Sequence, residues 1–217
     1  MKIFLDSAEI NEIKTHQNSG FVDGVTTNPS LITKSGGNIL ETIAKICTLV
    51  DGPVSAKVTA TDFETMLTEG RKFAAIAPNV AVKVPLTDAE LRTCRALADS
   101  GTKVNVTLCF IASQALLAAK AGASFISPFV EWLNDIGKDG ICLIEDIYTI
   151  YANFDSHTEV LVASVRSTQH IVDAALMGAD AVTLPPKILS SLYKHPLTDS
   201  GLDAFMTNWR QTGQSIL

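Results

Sequence analysis

Short apolar or alternating runs recur eight times along the chain, and each gap between them is long enough to carry a helix back across a sheet. The runs are Ile3 to Asp6, Gly24 to Thr27, Val54 to Thr59, Val80 to Pro85, Lys103 to Leu108, Ser124 to Ser127, Glu159 to Ser164 and Ala181 to Leu184. Between them apolar residues return at helical spacing, as in Ile39, Ile43, Ile46 and Val50, or Phe63, Met66, Leu67, Phe73 and Ala74. Strand and helix in alternation make neighbouring strands parallel, and eight such units predict an α/β fold, a (β/α)8 TIM barrel. The connections are compact, with Trp132 to Gly140 as the one loop-rich interval. An open doubly wound sheet is the alternative, but no glycine-rich phosphate loop follows the first run, where Ser7-Ala8-Glu9 reads as a helix cap and acidic first turn. Further helices are expected over Pro186 to Lys194 and Leu202 to Gly213. The second is an additional C-terminal helix whose Leu202, Phe205, Met206 and Trp209 share one face, suited to covering the barrel or a neighbouring subunit.

With 47% hydrophobic and 18% charged residues, the 217-residue chain can bury one large core, so a single domain over 1–217 is expected. A formal charge of −6, with no local Lys/Arg cluster, argues against nucleic-acid binding. No segment approaches about 18 uninterrupted apolar residues, and the amino terminus is no signal peptide, so a soluble cytoplasmic protein without membrane contact is expected. Cys47, Cys94, Cys109 and Cys142 are scattered without a CxxC pair, which indicates neither zinc nor a disulfide framework. No metal or other cofactor is expected.

One charged residue interrupts an otherwise apolar strand: Lys83, in Val80-Ala81-Val82-Lys83-Val84-Pro85. A buried amine pairs with a carboxylate, reaches water, or loses its proton and becomes a nucleophile. In a barrel of this kind the carboxyl ends of the strands carry the chemistry. The polar strand residues Asp6, Thr26, Thr27, Asn28, Lys57, Thr59, Lys83, Asn105, Thr107, Ser127, Ser164 and Arg166 gather there, without a metal-binding cluster. Carbonyl and carbanion chemistry needs an electron sink, and the Lys83 amine, as an iminium, is the evident source of one. Asp6 is the matching acid/base group. The plainer readings are a helix-capping Asp6, a turn-capping Thr26 and Asn28, and a surface Arg166.

Leu5-Asp6, Gly24-Val25-Thr26-Thr27-Asn28-Pro29-Ser30, Val82-Lys83-Val84-Pro85, Asn105-Val106-Thr107-Leu108, Ser127-Pro128-Phe129-Val130 and Ala163-Ser164-Val165-Arg166 together resemble the transaldolase family. The resemblance spans essentially the whole chain and is nearest the short subfamily, which holds small transaldolases and fructose-6-phosphate aldolases. It implies Schiff-base transfer of a dihydroxyacetone unit from sedoheptulose 7-phosphate or fructose 6-phosphate to glyceraldehyde 3-phosphate or erythrose 4-phosphate, in the pentose phosphate pathway. Lys83 then forms the Schiff base and Asp6 transfers protons. Asn28 and Asn105 hold donor hydroxyls and the intermediate, Thr107 and Ser127 contact a water or the dihydroxyacetone portion, and Ser164 and Arg166 bind phosphate. It also implies a homo-oligomer, a pentamer or decamer, built through the C-terminal helix.

Two departures concern charge. Where the family has Val-Ser-x-Glu-Val, with glutamine in the aldolases, Val54-Ser55-Ala56-Lys57-Val58 supplies a lysine, which should lower the Lys83 pKa but cannot accept a proton as glutamate does. Where the family continues Gly-Arg after Ser127-Pro128-Phe129-Val130, this chain has Glu131-Trp132, removing a phosphate ligand. Phe129 favours group transfer, since the aldolases tend to carry tyrosine there. A lyase releasing dihydroxyacetone and a weakly active sugar-phosphate-binding barrel remain the alternatives.

Overall fold

The eight apolar runs form strands β1 Lys2–Asp6, β2 Gly24–Thr26, β3 Val54–Lys57, β4 Val80–Val84, β5 Lys103–Cys109, β6 Phe125–Pro128, β7 Glu159–Val162 and β8 Ala181–Leu184. In the computed structural model, which describes residues 1–216, every strand pairs in parallel with its sequence neighbours and β8 closes onto β1. The chain is a (β/α)8 barrel. Its helices are α1 Ile10–Gln17, α2 Pro29–Ser35, α3 Ile39–Leu49, α4 Phe63–Ala74, α5 Asp88–Asp99, α6 Ala112–Lys120, α7 Val130–Asp135, α8 Gly140–Asn153, α9 Thr168–Leu176, α10 Pro186–Ser191 and α11 Pro196–Gln211. Side chains of Asn28, Asn38, Asp62, Asp139 and Ser167 accept from the first free backbone N–H groups of α2, α3, α4, α8 and α9, each worth about 1 kcal/mol.

Most of the core lies between sheet and helices, where Leu5, Val25, Val82, Val106, Ile126 and Val162 meet Ile43, Met66, Leu97 and Ile147. A separate cluster of Phe4, Ala81, Phe125, Leu161 and Ala181 fills the lower lumen, with the rings of Phe4 and Phe125 edge to face at 5.8 Å. Gly24 belongs to this plug by default: a Cβ there would come within 2.9 Å of the Phe4 ring and 2.7 Å of Pro53 O.

Three local expectations need correction. Asp6 caps no helix: α1 starts at Ile10 with Glu9 at its cap position, and Ser7 instead accepts from Glu9 N and donates to Glu12. The interval from Trp132 to Gly140 is not simply loop, because Val130 to Asp135 winds into α7 and Gly140 opens α8 against the Val130 backbone. Finally, Thr59 lies beyond the end of β3, where the Glu69 carboxylate accepts from Thr59 N, Ala60 N and Thr59 Oγ1 and turns the chain out of the sheet.

The C-terminal helix α11 buries none of its residues against the barrel. Among the described residues, no helix is long and apolar enough to cross a membrane.

Candidate active site

Lys83 is one residue from the end of β4 and only 5% exposed. Among the described residues no carboxylate forms an ion pair with it, so the reading of a lysine held by an acidic partner does not apply. Burial lowers its pKa; the negative charge of Asp6 partly opposes this, and the positive charge of Lys57 adds to it. Lys57 and Lys83 are register partners on β3 and β4. The amine is thus biased toward its neutral, nucleophilic form.

Above the lower plug the lumen is polar, and its side chains are ordered by hydrogen bonds in two groups. On one wall Thr26 Oγ1 donates to Asp6 Oδ1 at 2.7 Å and lies 2.6 Å from Thr183 Oγ1. A hydroxyl has one proton to give, so Thr183 must donate to Thr26 and the chain runs Thr183 to Thr26 to Asp6. On the other wall Ser127 Oγ donates to Asn105 Oδ1 at 2.8 Å, and Asn105 Nδ2 donates to Ser55 Oγ at 3.1 Å. This fixes the amide with its nitrogen toward β3. Thr107 Oγ1, also buried, has no hydrogen-bond partner in the structure, so it is available to a bound molecule.

The mouth is shaped by backbone irregularities. The register of β5 on β6 shifts between Thr107 and Cys109, and Leu108 takes φ +60°, a left-handed value unusual for leucine. Ser164 does the same at φ +61°, just after β7. These turns set Phe110 beside Phe129 and Trp132: Phe110 and Trp132 stack at 5.9 Å, and Phe129 meets both edge on. Arg166 lies at the same rim, with both terminal nitrogens on Asp135 at 3.1 and 3.0 Å and a longer contact of 3.5 Å to Glu131. Asn28 Oδ1 caps α2 through Leu31 N, as its plainer reading has it. Thr27 faces away from the others, its hydroxyl on Ser55 O.

Of the residues singled out in the sequence, Asp6, Thr26, Lys57, Lys83, Asn105, Thr107 and Ser127 come together at the upper lumen, while Asn28, Phe129, Ser164 and Arg166 stand around its rim. Sequence reasoning missed Ser55 and Thr183, which orient Asn105 and Thr26. Each was visible only as a small hydroxyl at an inward position of an apolar strand. A large cavity of about 940 Å³ opens at the opposite end, against the strand starts at Lys2, Lys103, Phe125 and Glu159. None of the polar upper-lumen residues lines it, so its size does not locate the chemistry.

Residues 3–216 match the family model described as Transaldolase/Fructose-6-phosphate aldolase. A protein of Chelativorans sp. (strain BNC1) named "Probable transaldolase" is 58% identical over 216 residues, covering 100% of both chains. One of the same name from Parvibaculum lavamentivorans is 59% identical over 218 residues, again covering 100% of both. Among solved structures, inosine 5' monophosphate dehydrogenase from Legionella pneumophila aligns with a TM-score of 0.61 at 15% identity, over 85% of this chain and 58% of that one, which speaks for the barrel fold alone. A full-length family match, together with relatives of equal length at such identity, makes this chain a member of the transaldolase/fructose-6-phosphate aldolase family.

Proposed function

We propose that the protein is a metal-independent transaldolase in which Lys83 carries the transferred fragment. The observation that bears most weight is a buried amine with no ion-pair partner among the described residues, its pKa lowered, opposite a carboxylate that accepts from the Thr26 hydroxyl, itself held by Thr183. Lys83 Nζ attacks the ketone carbon of a ketose phosphate, and loss of water leaves an iminium. Asp6 takes the proton of the C4 hydroxyl as the C3–C4 bond breaks, and the bonding pair moves into the iminium to give an enamine. The shortened aldose leaves. The enamine then attacks the aldehyde carbon of an aldose phosphate, Asp6 returns the proton to the new hydroxyl, and hydrolysis frees the longer ketose.

Asn28 and Asn105 are assigned to the donor hydroxyls and the intermediate, and Ser127, which donates to Asn105, to a water or the dihydroxyacetone portion. The unpaired Thr107 hydroxyl suits a water or the dihydroxyacetone portion. Thr26 positions Asp6, and the charge of Lys57 adds to the lowering of the Lys83 pKa that burial begins. Ser164 and Arg166 border the rim assigned to the distal end of the sugar, with the Arg166 fork on Asp135. Transfer is favoured over simple cleavage because the Phe129 ring, packed against Phe110 and Trp132, has no hydroxyl to hold a water that would protonate the enamine. We also assign a cytoplasmic location and a homo-oligomer whose contacts include α11.

The test is reduction with borohydride in the presence of fructose 6-phosphate, read by mass spectrometry. An adduct on Lys83, absent from Lys83→Met and discharged by erythrose 4-phosphate with sedoheptulose 7-phosphate appearing, is the expected result. Free dihydroxyacetone as the main product would make the protein a lyase, and absence of any adduct would end the Schiff-base reading.

A further inference from the structure

Among the described residues Arg166 is the guanidinium at the β6/β7 side of the mouth, and its binding fork is already filled. Asp135 accepts from both terminal nitrogens, the two-pronged geometry a phosphate would otherwise use. Glu131 adds a second carboxylate, and Glu131 is itself held in place by His170 Nε2 at 3.3 Å and Asn134 Nδ2 at 3.4 Å, with its side chain 20% exposed. Arg166 thus faces two carboxylates, those of Glu131 and Asp135, at the rim. An arriving phosphate dianion must displace Asp135 and approach Glu131. Lys57, on β3, stands across the barrel from β6 and β7 and does not relieve that repulsion.

Beside this clamp, and on the same short helix, lies an apolar alternative. Trp132, half exposed, stacks on Phe110, and the Phe129 ring closes the inner edge. The backbone bridge from Phe129 to Ala163 joins this shelf to the Ser164–Arg166 segment, so shelf and clamp border one space. Aromatic faces bind the C–H face of a carbohydrate chain and make no demand for charge.

We infer that the far end of the sugar rests on the Phe110–Trp132 stack, that Glu131 and Asp135 withhold Arg166 from phosphate, and that the site consequently accepts unphosphorylated aldoses about as readily as their phosphates. This rests on the Schiff-base reading for its chemistry, but its binding part is tested separately. With fructose 6-phosphate as common donor, kcat/KM is compared for erythrose 4-phosphate and erythrose. The expected preference for the phosphate is below about tenfold, Asp135→Asn raises it, and Trp132→Ala lowers kcat/KM for erythrose. A preference above about tenfold in the unaltered protein overturns the inference. Calorimetric titration with inorganic phosphate needs no turnover: the Glu131→Gln/Asp135→Asn variant should bind about tenfold more tightly than the unaltered protein, and equal affinity overturns the proposal even if Lys83 forms its adduct. The single half-exposed Asp135→Asn substitution serves if the double variant does not fold.

Discussion

Lys57 and Lys83 are paired in register on adjacent parallel strands, so their side chains leave the sheet on the same side and at the same level. Two cations so placed repel, and the buried one yields its proton more easily. Lys57→Glu replaces that repulsion with attraction and should raise the Lys83 pKa. The acid limb of the kcat/KM profile then moves up by about one pH unit or more. Lys57→Met should fall between the two. A pH profile that ignores both substitutions would remove Lys57 from the proton balance.

Lys83 should also be a burden on the fold. Its pKa is depressed in the folded protein and returns to its ordinary 10.5 on unfolding, so below 10.5 the unfolded chain binds more protons. Stability is therefore lost as pH falls from 10.5 toward the depressed value, and is constant below it. Lys83→Met, similar in length and uncharged, should abolish turnover while raising stability by about 1 to 2 kcal/mol, roughly 2 to 8 °C in Tm, near neutrality. The gain over the unaltered protein should widen as scans descend from pH 10.5.

Thr26→Val interrupts the chain from Thr183 to Asp6. We expect kcat to fall about tenfold or more with KM little changed, because Thr26 acts through Asp6 rather than on the sugar. Loss of the buried hydrogen bonds should lower stability by about 1 kcal/mol. A rise in KM with unchanged kcat would instead indicate contact with substrate.

Gly24→Ala places a methyl against the Phe4 ring and Pro53 O. Neither the packed ring nor the backbone can yield freely, so unfolding free energy should drop by about 1 to 3 kcal/mol in denaturant titrations.

Helix α11 leaves Phe205 73% and Trp209 38% exposed. Phe205→Asp should reduce the assembly mass seen by light scattering while circular dichroism is preserved. An unchanged mass would place the subunit contacts elsewhere.

The barrel was legible because its signals are local: each strand declares itself within a few residues, and Lys83 stands out against the apolar neighbours that bury it. The pairings that set the site's electrostatics are not local. Arg166 meets Asp135 and Glu131 from 31 and 35 residues away, through a helix, α7, too short and irregular to show a period. Ser55 and Thr183 were passed over because a single hydroxyl in a strand looks the same whether it orients an amide or merely tolerates burial. Asp6 shows the converse, since its local surroundings suit a helix cap and only the closure of β1 on β2 turns it toward Thr26.

The rings of Phe4 and Phe125 leave the lumen with one doorway. Whatever is cut from the donor must depart by the route the acceptor uses to enter, so the two aldoses exclude each other in time as well as in space. Initial rates with both substrates varied should then give parallel double-reciprocal lines, the kinetic imprint of a tunnel stopped at one end.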